Sequence, residues 1–465
     1  MASYTEDMEE NLTENAEGNL AGNITGGQTT EIPEEAGTKK MGIVIRDALA
    51  VLPGEKEPVI GRHSIYIAGD LISGIDVRPE GFSEDEVIDG KDRLVIPGLV
   101  NAHTHTYMSM MRNCADDLSF MDWLFGRVSP IEEKLAGEDA YWGSLLGQIE
   151  MIRSGTTTFS DMQMNIHQTT RAAAESGMRA VISRGLVGDS YDRNDRRLNE
   201  ALEEMEDGKD CSRLTFLLGP HAPYTCSPDY LRMVSDVAKE KGVGIHIHLS
   251  ESMTEIENMR KDHGCTPIEY ALNAGVFDVP TLAAHCVQLQ GDDISILAEH
   301  HVSVVTNPAS NMKLGNGFAP VPELLEAGVN VCLGTDGAAS NNAQNMFREM
   351  SHLALIHKGT HKTPQCIGAS QVFQAATIAG AKALRLNTGS IEVGKKADLA
   401  ILRLDCASMM PNNNLLAALC YSADGSETDT VIIDGKIVMQ GRELKTIDEE
   451  RVFYEIRQMC PRLGL

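Results

Sequence analysis

The chain has 465 residues, of which 42% are hydrophobic, and this length suits one domain of about 250–300 residues together with a smaller one. It carries 40 Lys and Arg against 67 Asp and Glu, and the resulting net charge of −27 repels nucleic acid and anionic membranes. None of the 10 cysteines forms Cys-x-x-Cys, and no secretory or membrane-spanning run occurs, which disfavours a thiolate zinc site and predicts a reduced, cytoplasmic, soluble protein.

Residues 1–40 form the first distinct segment of the chain. They contain nine acidic residues, two lysines and almost no large apolar side chains. Such a segment cannot bury enough surface to offset the entropy that ordering would cost. We predict a disordered acidic tail.

Short β-strand patterns with turn signals flank the middle of the chain. They occupy residues 41–97 and return in residues 390–445, where Asp434-Gly435 between two apolar runs is typical of a hairpin. We expect these two segments to fold together as one small β-sandwich domain built from both ends. Residues 446–465 follow as a C-terminal helix or tail.

The middle of the chain, residues 98–389, alternates strand and helix patterns. Eight strands with helical crossovers, such as residues 168–176 and 228–241, fit an α/β fold of the (β/α)8 TIM-barrel type. A doubly wound open sheet is the alternative, but no Gly-x-Gly-x-x-Gly follows the first strand. The predicted strands are residues 94–101, 156–161, 179–186, 214–220, 243–249, 281–285, 302–306 and 329–335.

The first predicted strand leads into His-x-His, and the functional prediction depends on this pattern. Alternate residues of a strand share a face, so His103 and His105 point the same way. In a barrel, polar side chains at the C-terminal ends of the strands converge on the face that carries the chemistry. Two neutral imidazoles there supply half of a metal site, provided that other strand ends supply the remaining ligands.

Later strands end in further polar residues. The fifth carries His246 and His248 on one face, and spacing alone leaves open which binds a metal; His248 is preferred because it lies nearer the barrel mouth. Glu251 follows the strand, where a carboxylate beside an activated water can move protons. His285 ends the sixth strand, and Asp336 ends the eighth. Each residue singly has a structural explanation, but together they form a set that suits zinc or iron(II).

The fourth predicted strand indicates how many metal ions to expect. It leads to His221 and contains no lysine. Two-metal barrels of this kind commonly bridge their ions with a carboxylated lysine from this strand. We therefore expect one divalent metal per subunit, with zinc preferred and iron as the alternative.

The motifs at these strand ends resemble those of the amidohydrolase superfamily over about residues 41–440. They are Pro97-Gly-Leu-Val-Asn-Ala-His-Thr-His, His246-Ile-His-Leu-Ser-Glu, Ala284-His-Cys and Gly334-Thr-Asp-Gly. Further stretches resemble the methylthioadenosine/S-adenosylhomocysteine deaminases and the archaeal 5′-deoxyadenosine deaminases grouped with them. These are Asp117-Leu-Ser-Phe-Met-Asp-Trp-Leu-Phe to Pro130-Ile-Glu, Gly219-Pro-His-Ala-Pro-Tyr, and Asn307-Pro-Ala-Ser-Asn-Met-Lys-Leu.

The resemblance implies an enzyme that deaminates adenosine-type nucleosides modified at the 5′ position. The implied substrates are 5′-deoxyadenosine, 5′-methylthioadenosine, S-adenosylhomocysteine and adenosine, converted to inosine analogues and ammonia in the recycling of S-adenosylmethionine by-products. A homo-oligomer, with a tetramer as one candidate, is a common assembly for such enzymes. The implied metal ligands are His103, His105, His248 and Asp336, and the implied catalytic residues are Glu251, His285 and Asp336.

The resemblance also implies contacts to the purine and the ribose. Glu251 and Asp336 would contact the purine, and His221 would contact the nucleoside. Glu132 falls where family members hold the ribose hydroxyls, and one carboxylate can accept two hydroxyl hydrogen bonds. Without the resemblance, Glu132 would be interpreted as a solvated charge on a helix.

The resemblance further implies an aromatic contact at the 5′ side of the substrate and two substrate-binding arginines in the third β/α region. Trp123 would stack there, with a hydrophobic anchor as its alternative role. Arg184 matches one of the family's arginines. The second is Arg196 or Arg197, because the loop length leaves the alignment open, and Arg197 is taken as the candidate.

Three other functions compete with this interpretation. A triazine-type chlorohydrolase, or another aminohydrolase of the superfamily, would use the same attack on an electron-poor ring, but Glu132 and His221 favour a nucleoside. A non-catalytic barrel that acts through its surface is disfavoured by the intact ligand set and by Glu251. A cytidine-deaminase site is excluded because it requires Pro-Cys-x-x-Cys.

Overall fold

A computed structural model of the protein describes residues 42–165 and 167–465, except for the side chains of Phe120 and Met121. The predicted acidic tail, residues 1–40, lies outside the described residues. Within the described part of the chain, no helix is long and apolar enough to cross a lipid bilayer.

The strands of the described chain divide into two sheets, one of eight strands and one of nine. In chain order they are β1 (Gly42–Leu52), β2 (Val59–Ala68), β3 (Leu71–Ile75), β4 (Glu86–Asp89), β5 (Arg93–Pro97), β6 (Leu99–Thr104), β7 (Thr156–Gln163), β8 (Arg179–Leu186), β9 (Leu214–Pro220), β10 (Ile245–Leu249), β11 (Thr281–His285), β12 (Ser303–Thr306), β13 (Asn330–Leu333), β14 (Leu399–Arg403), β15 (Thr428–Ile433), β16 (Lys436–Gln440) and β17 (Glu443–Leu444).

The eight-stranded sheet is the predicted barrel. Strands β6 to β13 hydrogen-bond in parallel, each to the next in chain order. Helices occupy the connections, and this arrangement brings every C-terminal strand end to the same face. The strands are almost completely buried, as expected for parallel strands that are covered by helices outside and side chains inside.

The barrel closes where the segment after β13 meets β6. The backbone N–H groups of Thr335 and Asp336 both donate to the carbonyl oxygen of His103, at 3.1 and 2.9 Å. Gly334 lies against the same residue, and a Cβ at this position would stand 2.8 Å from both the backbone N and O atoms of His103. A larger residue would push the two segments apart. Closure of the barrel therefore sets the separation between His103 and Asp336.

Both ends of the chain build the nine-stranded sheet. Antiparallel pairing of β5 with β14 joins the strands from the first part of the chain to those from the last part. The order is β17-β16-β15-β14-β5-β1-β2-β3, with β4 beside β1, so the two segments predicted to form a β-sandwich share one continuous hydrogen-bonded sheet. Its apolar core draws on both ends of the chain, with Ile43, Ile65, Val95, Leu399 and Ile432 all buried.

A buried ion-pair cluster joins the barrel to this sheet. Arg179, the first residue of β8, donates to both oxygens of Asp398 at 2.7 and 3.1 Å and to Asp434 at 2.7 Å. All three side chains are nearly inaccessible to solvent. Removal of one partner from a buried pair costs about 3–5 kcal/mol, because it leaves an uncompensated charge. This cluster therefore fixes the base of β8 against the second sheet.

Helices occupy the crossovers and the chain end. In chain order the α-helices are Phe120–Trp123, Ser129–Glu132, Asp139–Arg153, Gln168–Ser176, Arg196–Gly208, Pro228–Lys241, Met253–His263, Pro267–Asn273, Asp293–Glu299, Pro308–Lys313, Val321–Glu326, Ala338–Asn341, Met346–His361, Ala369–Ala375, Ile378–Ala383, Leu415–Tyr421 and Glu449–Leu463. A π-helix, Leu124–Val128, and three 3-10 helices, Thr106–Met111, Val276–Asp278 and Ala407–Met409, complete the set.

One predicted strand differs from the structure in a way that matters for the site. The apolar run 94–101 divides at Gly98 into β5, which belongs to the nine-stranded sheet, and β6, which belongs to the barrel. A Cβ at Gly98 would lie 2.1 Å from Thr157 Oγ1, so a residue larger than glycine would clash at this position. Strand β6 consequently begins later and continues to Thr104, which places His103 inside the strand.

Candidate metal centre and active site

The ends of three barrel strands bring four of the predicted residues together. His103 and His105 come from the end of β6, His248 from β10, and Asp336 from the turn after β13. One ring nitrogen of each of the three histidines lies within 4.8 Å of the others. The Nε2 atoms of His103 and His105 lie 3.5 and 3.4 Å from Asp336 Oδ1. His103 also forms a second group of this kind with His285 and Asp336, so the two groups meet at His103.

The hydrogen bonds of the three imidazoles test whether this cluster can hold a metal. His105 Nδ1 lies 2.6 Å from the Met162 carbonyl oxygen and His248 Nδ1 lies 2.7 Å from the His221 carbonyl oxygen, so both Nδ1 atoms donate. With Nδ1 bound to a carbonyl in each ring, Nε2 is the nitrogen that faces the cluster and can serve as the metal-binding atom. The Nε2 atom of His103 is buried and has no hydrogen-bond partner among the described residues. Burial lowers the pKa of His103 to about 4, and a neutral ring is the form that binds metals.

Asp336 supplies the carboxylate of the cluster from a backbone that is held in a sparsely populated conformation. Its φ is 63°, in the left-handed region, and the Gly337 N–H donates to Oδ1 at 2.7 Å. Ser310 and Ser340 donate to Oδ2 at 2.6 and 3.1 Å. Burial raises the pKa of Asp336, but the neighbouring His103 and the other histidines outweigh this effect and hold it well below its usual range. The carboxyl group is therefore ionised, as a ligand to a divalent cation must be.

His285 and Glu251 lie together beside these four residues. His285 ends β11 with φ at 72°, and its Nε2 lies 3.7 Å from Glu251 Oε2. Strained backbone conformations concentrate at functional sites, and the strand ends at His285 and Asp336 both have one. Burial raises the pKa of Glu251, so this carboxyl group can hold a proton closer to neutral pH than an exposed glutamate can.

Two asparagines that the sequence analysis did not assign orient this pair. Asn311 Oδ1 lies 2.9 Å from His285 Nδ1, and Asn316 Nδ2 donates to Glu251 Oε1 at 3.0 Å. Together with Ser310, they belong to or follow the helix Pro308–Lys313. In the sequence, they could have been recognised from the run of small polar residues that directly follows a buried strand.

The structure distinguishes His246 from His248, the two histidines of β10 that could not be told apart by their spacing in the sequence. His248 Nε2 faces the cluster, as preferred from the sequence. His246 lies deeper and is completely buried. Its Nε2 is 2.8 Å from His103 Nδ1, and its Nδ1 is 3.2 Å from Ser183 Oγ.

Glu132 ends the helix Ser129–Glu132 and contacts Tyr107, which lies in the 3-10 helix Thr106–Met111 after β6. The Tyr107 hydroxyl donates to Glu132 Oε1 at 2.5 Å, which leaves Oε2 as a free acceptor. Burial raises the pKa of Glu132. Trp123 packs nearby in an apolar cluster, is only 8% exposed, and donates from its indole N–H to the Ala339 carbonyl at 3.1 Å. Its packing matches the anchor role that the sequence left as an alternative.

His221 lies against His248, with ring centroids 4.9 Å apart, and Thr225 Oγ1 contacts its Nδ1 at 3.0 Å. Burial is the main reason that the pKa of His221 falls to about 3, and the positive charge of Arg197 also contributes. The Nη1 atom of Arg197 is buried. The side chain of Arg196 is 76% exposed and pairs with Glu200 at 3.0 Å. Of the two alternatives, Arg197 is the one directed inward.

Arg184 is the other predicted arginine, and its guanidinium group is hydrogen-bonded to two other residues of the protein. It donates to the Met164 carbonyl oxygen and, at 3.0 Å, to Glu200. Its Nε atom and the Nη1 atom of Arg197 are both buried and have no hydrogen-bond partner among the described residues. Burial and the nearby Arg184 lower the pKa of Arg197.

Comparison with known proteins connects this geometry to a family. The model of the amidohydrolase family matches residues 94–438. A protein of Caldanaerobacter subterraneus subsp. tengcongensis, named 5-methylthioadenosine/S-adenosylhomocysteine deaminase, is 45% identical over 432 residues, which cover 91% of this chain and 99% of the relative.

Two solved structures share the fold. An adenosine deaminase from Xanthomonas campestris with bound zinc is 30% identical, with a TM-score of 0.86, over 92% of this chain and 100% of its own. An atrazine chlorohydrolase from Arthrobacter aurescens, complexed with zinc, is 23% identical, with a TM-score of 0.83, over 90% and 100%. The second likeness concerns the fold alone.

Proposed function

The chain belongs to the amidohydrolase family, and we propose that it is a metal-dependent deaminase of adenosine-type nucleosides modified at the 5′ position. The proposed substrates are 5′-deoxyadenosine, 5′-methylthioadenosine, S-adenosylhomocysteine and adenosine, converted to inosine analogues and ammonia in the recycling of S-adenosylmethionine by-products. The observation that carries the proposal is the convergence of His103, His105 and His248 beside Asp336 and the Glu251–His285 pair.

His103, His105, His248 and Asp336 would hold one divalent cation. Imidazole and carboxylate ligands suit zinc, which the related adenosine deaminase from Xanthomonas campestris contains, and iron(II) is the alternative. When bound, such a cation activates water for attack by lowering its pKa to about 7.

The residues beside the proposed metal site would move the protons. Glu251 would give a proton to N1 of the purine, which makes C6 electrophilic, and its raised pKa allows it to carry that proton. Asn316 holds Oε1, so Oε2, on the side of His285, is the oxygen free to transfer. Asp336 and His285 would accept the proton that water loses as it adds to C6. Glu251, now ionised, would take up the second proton of the water from the C6 hydroxyl and pass it to the exocyclic nitrogen, which leaves as ammonia while C6 becomes a carbonyl. The proton held by Asp336 and His285 would then return to Glu251.

Glu132 would hold the ribose. Because Tyr107 occupies Oε1, the remaining oxygen can accept hydrogen bonds from the ribose hydroxyls. Glu132→Ala should lower kcat/KM for nucleosides about 10–100-fold, since a hydrogen bond to a charged group contributes about 1.5–3 kcal/mol. Ammonia release from nucleosides and from free adenine, which lacks ribose, would be compared for the wild type and the variant.

The neighbouring Glu133 provides the matched control for this experiment. It is exposed, so Glu133→Ala should leave kcat/KM for nucleosides unchanged. Equal losses for adenine and adenosine in Glu132→Ala would argue against recognition of the ribose by this carboxylate.

The 5′ group of the nucleoside would lie toward His221, Arg197, Arg184 and Trp123. Arg197 is the strongest candidate for direct contact, because its Nη1 has no hydrogen-bond partner among the described residues. Arg184, held by Glu200 and Met164, would support it. The nucleoside is favoured over a triazine because Glu132 offers a diol acceptor that a triazine could not use.

The direct test of the proposed reaction is ammonia release from the four nucleosides, with chloride release from atrazine measured in parallel. We expect ammonia from at least one 5′-modified nucleoside and no chloride. Release of chloride without ammonia would favour the chlorohydrolase, and the absence of both products would favour a non-catalytic barrel.

We also propose a cytoplasmic homo-oligomer, with a tetramer as one candidate, which size-exclusion chromatography with light scattering would measure.

A further inference from the structure

We propose that Asp161, Ser183 and His246 form a hydrogen-bonded relay that orients the His103 ring and favours its Nδ1–H tautomer, the one whose Nε2 atom can bind a metal. The proposal rests on the metal-dependent function proposed above. His246 would be a positioning residue: it contacts neither the substrate nor the metal, and it acts through His103.

The relay consists of three hydrogen bonds in the barrel interior. Ser183 Oγ lies 3.1 Å from the Asp161 carbonyl oxygen, His246 Nδ1 lies 3.2 Å from Ser183 Oγ, and His246 Nε2 lies 2.8 Å from His103 Nδ1. The four residues lie on β7, β8, β10 and β6. The side chains of Ser183, His246 and His103 are buried, so no bulk water competes for these contacts.

The direction of every hydrogen bond in the relay follows from the carbonyl at its end. A carbonyl oxygen can only accept, so the Ser183 hydroxyl must donate to Asp161. The Ser183 oxygen then accepts from Nδ1–H of His246. Since Nδ1 of His246 is the ring's donor to Ser183, Nε2 is the ring atom available to accept a hydrogen bond. This atom accepts the Nδ1–H of His103, and the Nε2 atom of His103 is left with its lone pair toward the cluster.

The other two imidazoles of the cluster do not need such a relay. His105 and His248 donate directly to the backbone carbonyls of Met162 and His221. No side-chain substitution removes a carbonyl, so these two rings are oriented by the fold itself. His103 alone is oriented through side chains, and its ligand form therefore depends on the identity of residues 183 and 246. Groups that orient metal ligands in this way typically contribute about 10–100-fold in metal affinity.

Two substitutions at residue 246 distinguish the effect of the hydrogen-bond acceptor from the effect of the side-chain volume. His246→Gln can place an amide oxygen near the position of Nε2 and keep the acceptor for His103. His246→Met fills a similar volume without it. The purified proteins would be mixed with the metallochromic chelator 4-(2-pyridylazo)resorcinol, and the rate of metal loss would be followed by absorbance. We expect His246→Met to lose metal about 10–100-fold faster than the wild type, and His246→Gln to stay within about threefold.

Ser183→Ala provides an independent test, which is needed if circular dichroism shows that His246→Met is unfolded. It removes the link to the carbonyl, so both histidine tautomers become available, and we expect metal loss to accelerate several-fold. A wild-type rate in folded His246→Met, or equal acceleration in the Gln and Met variants, would overturn the relay. A wild-type rate in Ser183→Ala would do the same. A wild-type protein that binds no metal would instead overturn the proposed function itself.

Discussion

Glu251→Gln is expected to keep the metal and lose most of its turnover. The amide has nearly the same shape as the carboxyl group, but it cannot take up and release the proton that N1 and the leaving nitrogen require. General acid–base groups contribute about 10²–10⁴-fold, so kcat for adenosine-type nucleosides should fall by that factor. The measurement combines steady-state ammonia release with metal analysis of the same sample.

Glu257→Gln is the matched control, because this glutamate is exposed on the helix Met253–His263 that follows Glu251. It should retain wild-type kcat. Turnover at the wild-type rate in Glu251→Gln would remove this residue from the proton pathway. Loss of metal in Glu251→Gln would assign it to the ligand set instead.

Asp336→Asn is expected to lower both the metal content and the activity. The neutral amide cannot supply the negative charge that lies 3.5 and 3.4 Å from the Nε2 atoms of His103 and His105. Because a catalytic metal contributes several kcal/mol of charge stabilisation, kcat/KM should fall about 10³-fold or more. Bound metal would be measured after dialysis by plasma mass spectrometry, and kcat/KM by ammonia release.

Asp262→Asn, an exposed aspartate far from the strand ends in sequence, is the control for this substitution and should change neither quantity. Full metal occupancy in Asp336→Asn would argue that the ion is held by other residues. Circular dichroism of both variants would establish that the barrel remains folded, which matters because the Asp336 N–H takes part in barrel closure.

The sequence could predict those parts of the site that follow from strand geometry. His103 and His105 share a face because side chains alternate along a strand, and parallel strands in a closed barrel present their C-terminal ends together. The bounds of β8, β9 and β11 agree with the predicted ranges for the same reason, since each is an apolar run bounded by turns. Hydrophobic periodicity depends only on residues close together in the chain, so it can be recognised in a single sequence.

Contacts between distant segments could not be predicted in this way. The pairing of Tyr107 with Glu132 and that of Asn316 with Glu251 depend on how loops fold over the strand ends. The division of residues 94–101 at Gly98 depends on the approach of Thr157 from a neighbouring strand. His246 and His248 could not be distinguished by spacing, because they share a face and differ only in depth within the barrel.

The most direct test of the central claim is the titration of metal-free protein with zinc. The purified protein would be stripped with a chelator, and ammonia release from 5′-methylthioadenosine would be measured as zinc is added back. Activity should be absent at the start, rise in proportion to the zinc and saturate at about one equivalent per subunit. Turnover at the full rate by the stripped protein would contradict a metal centre built from His103, His105, His248 and Asp336.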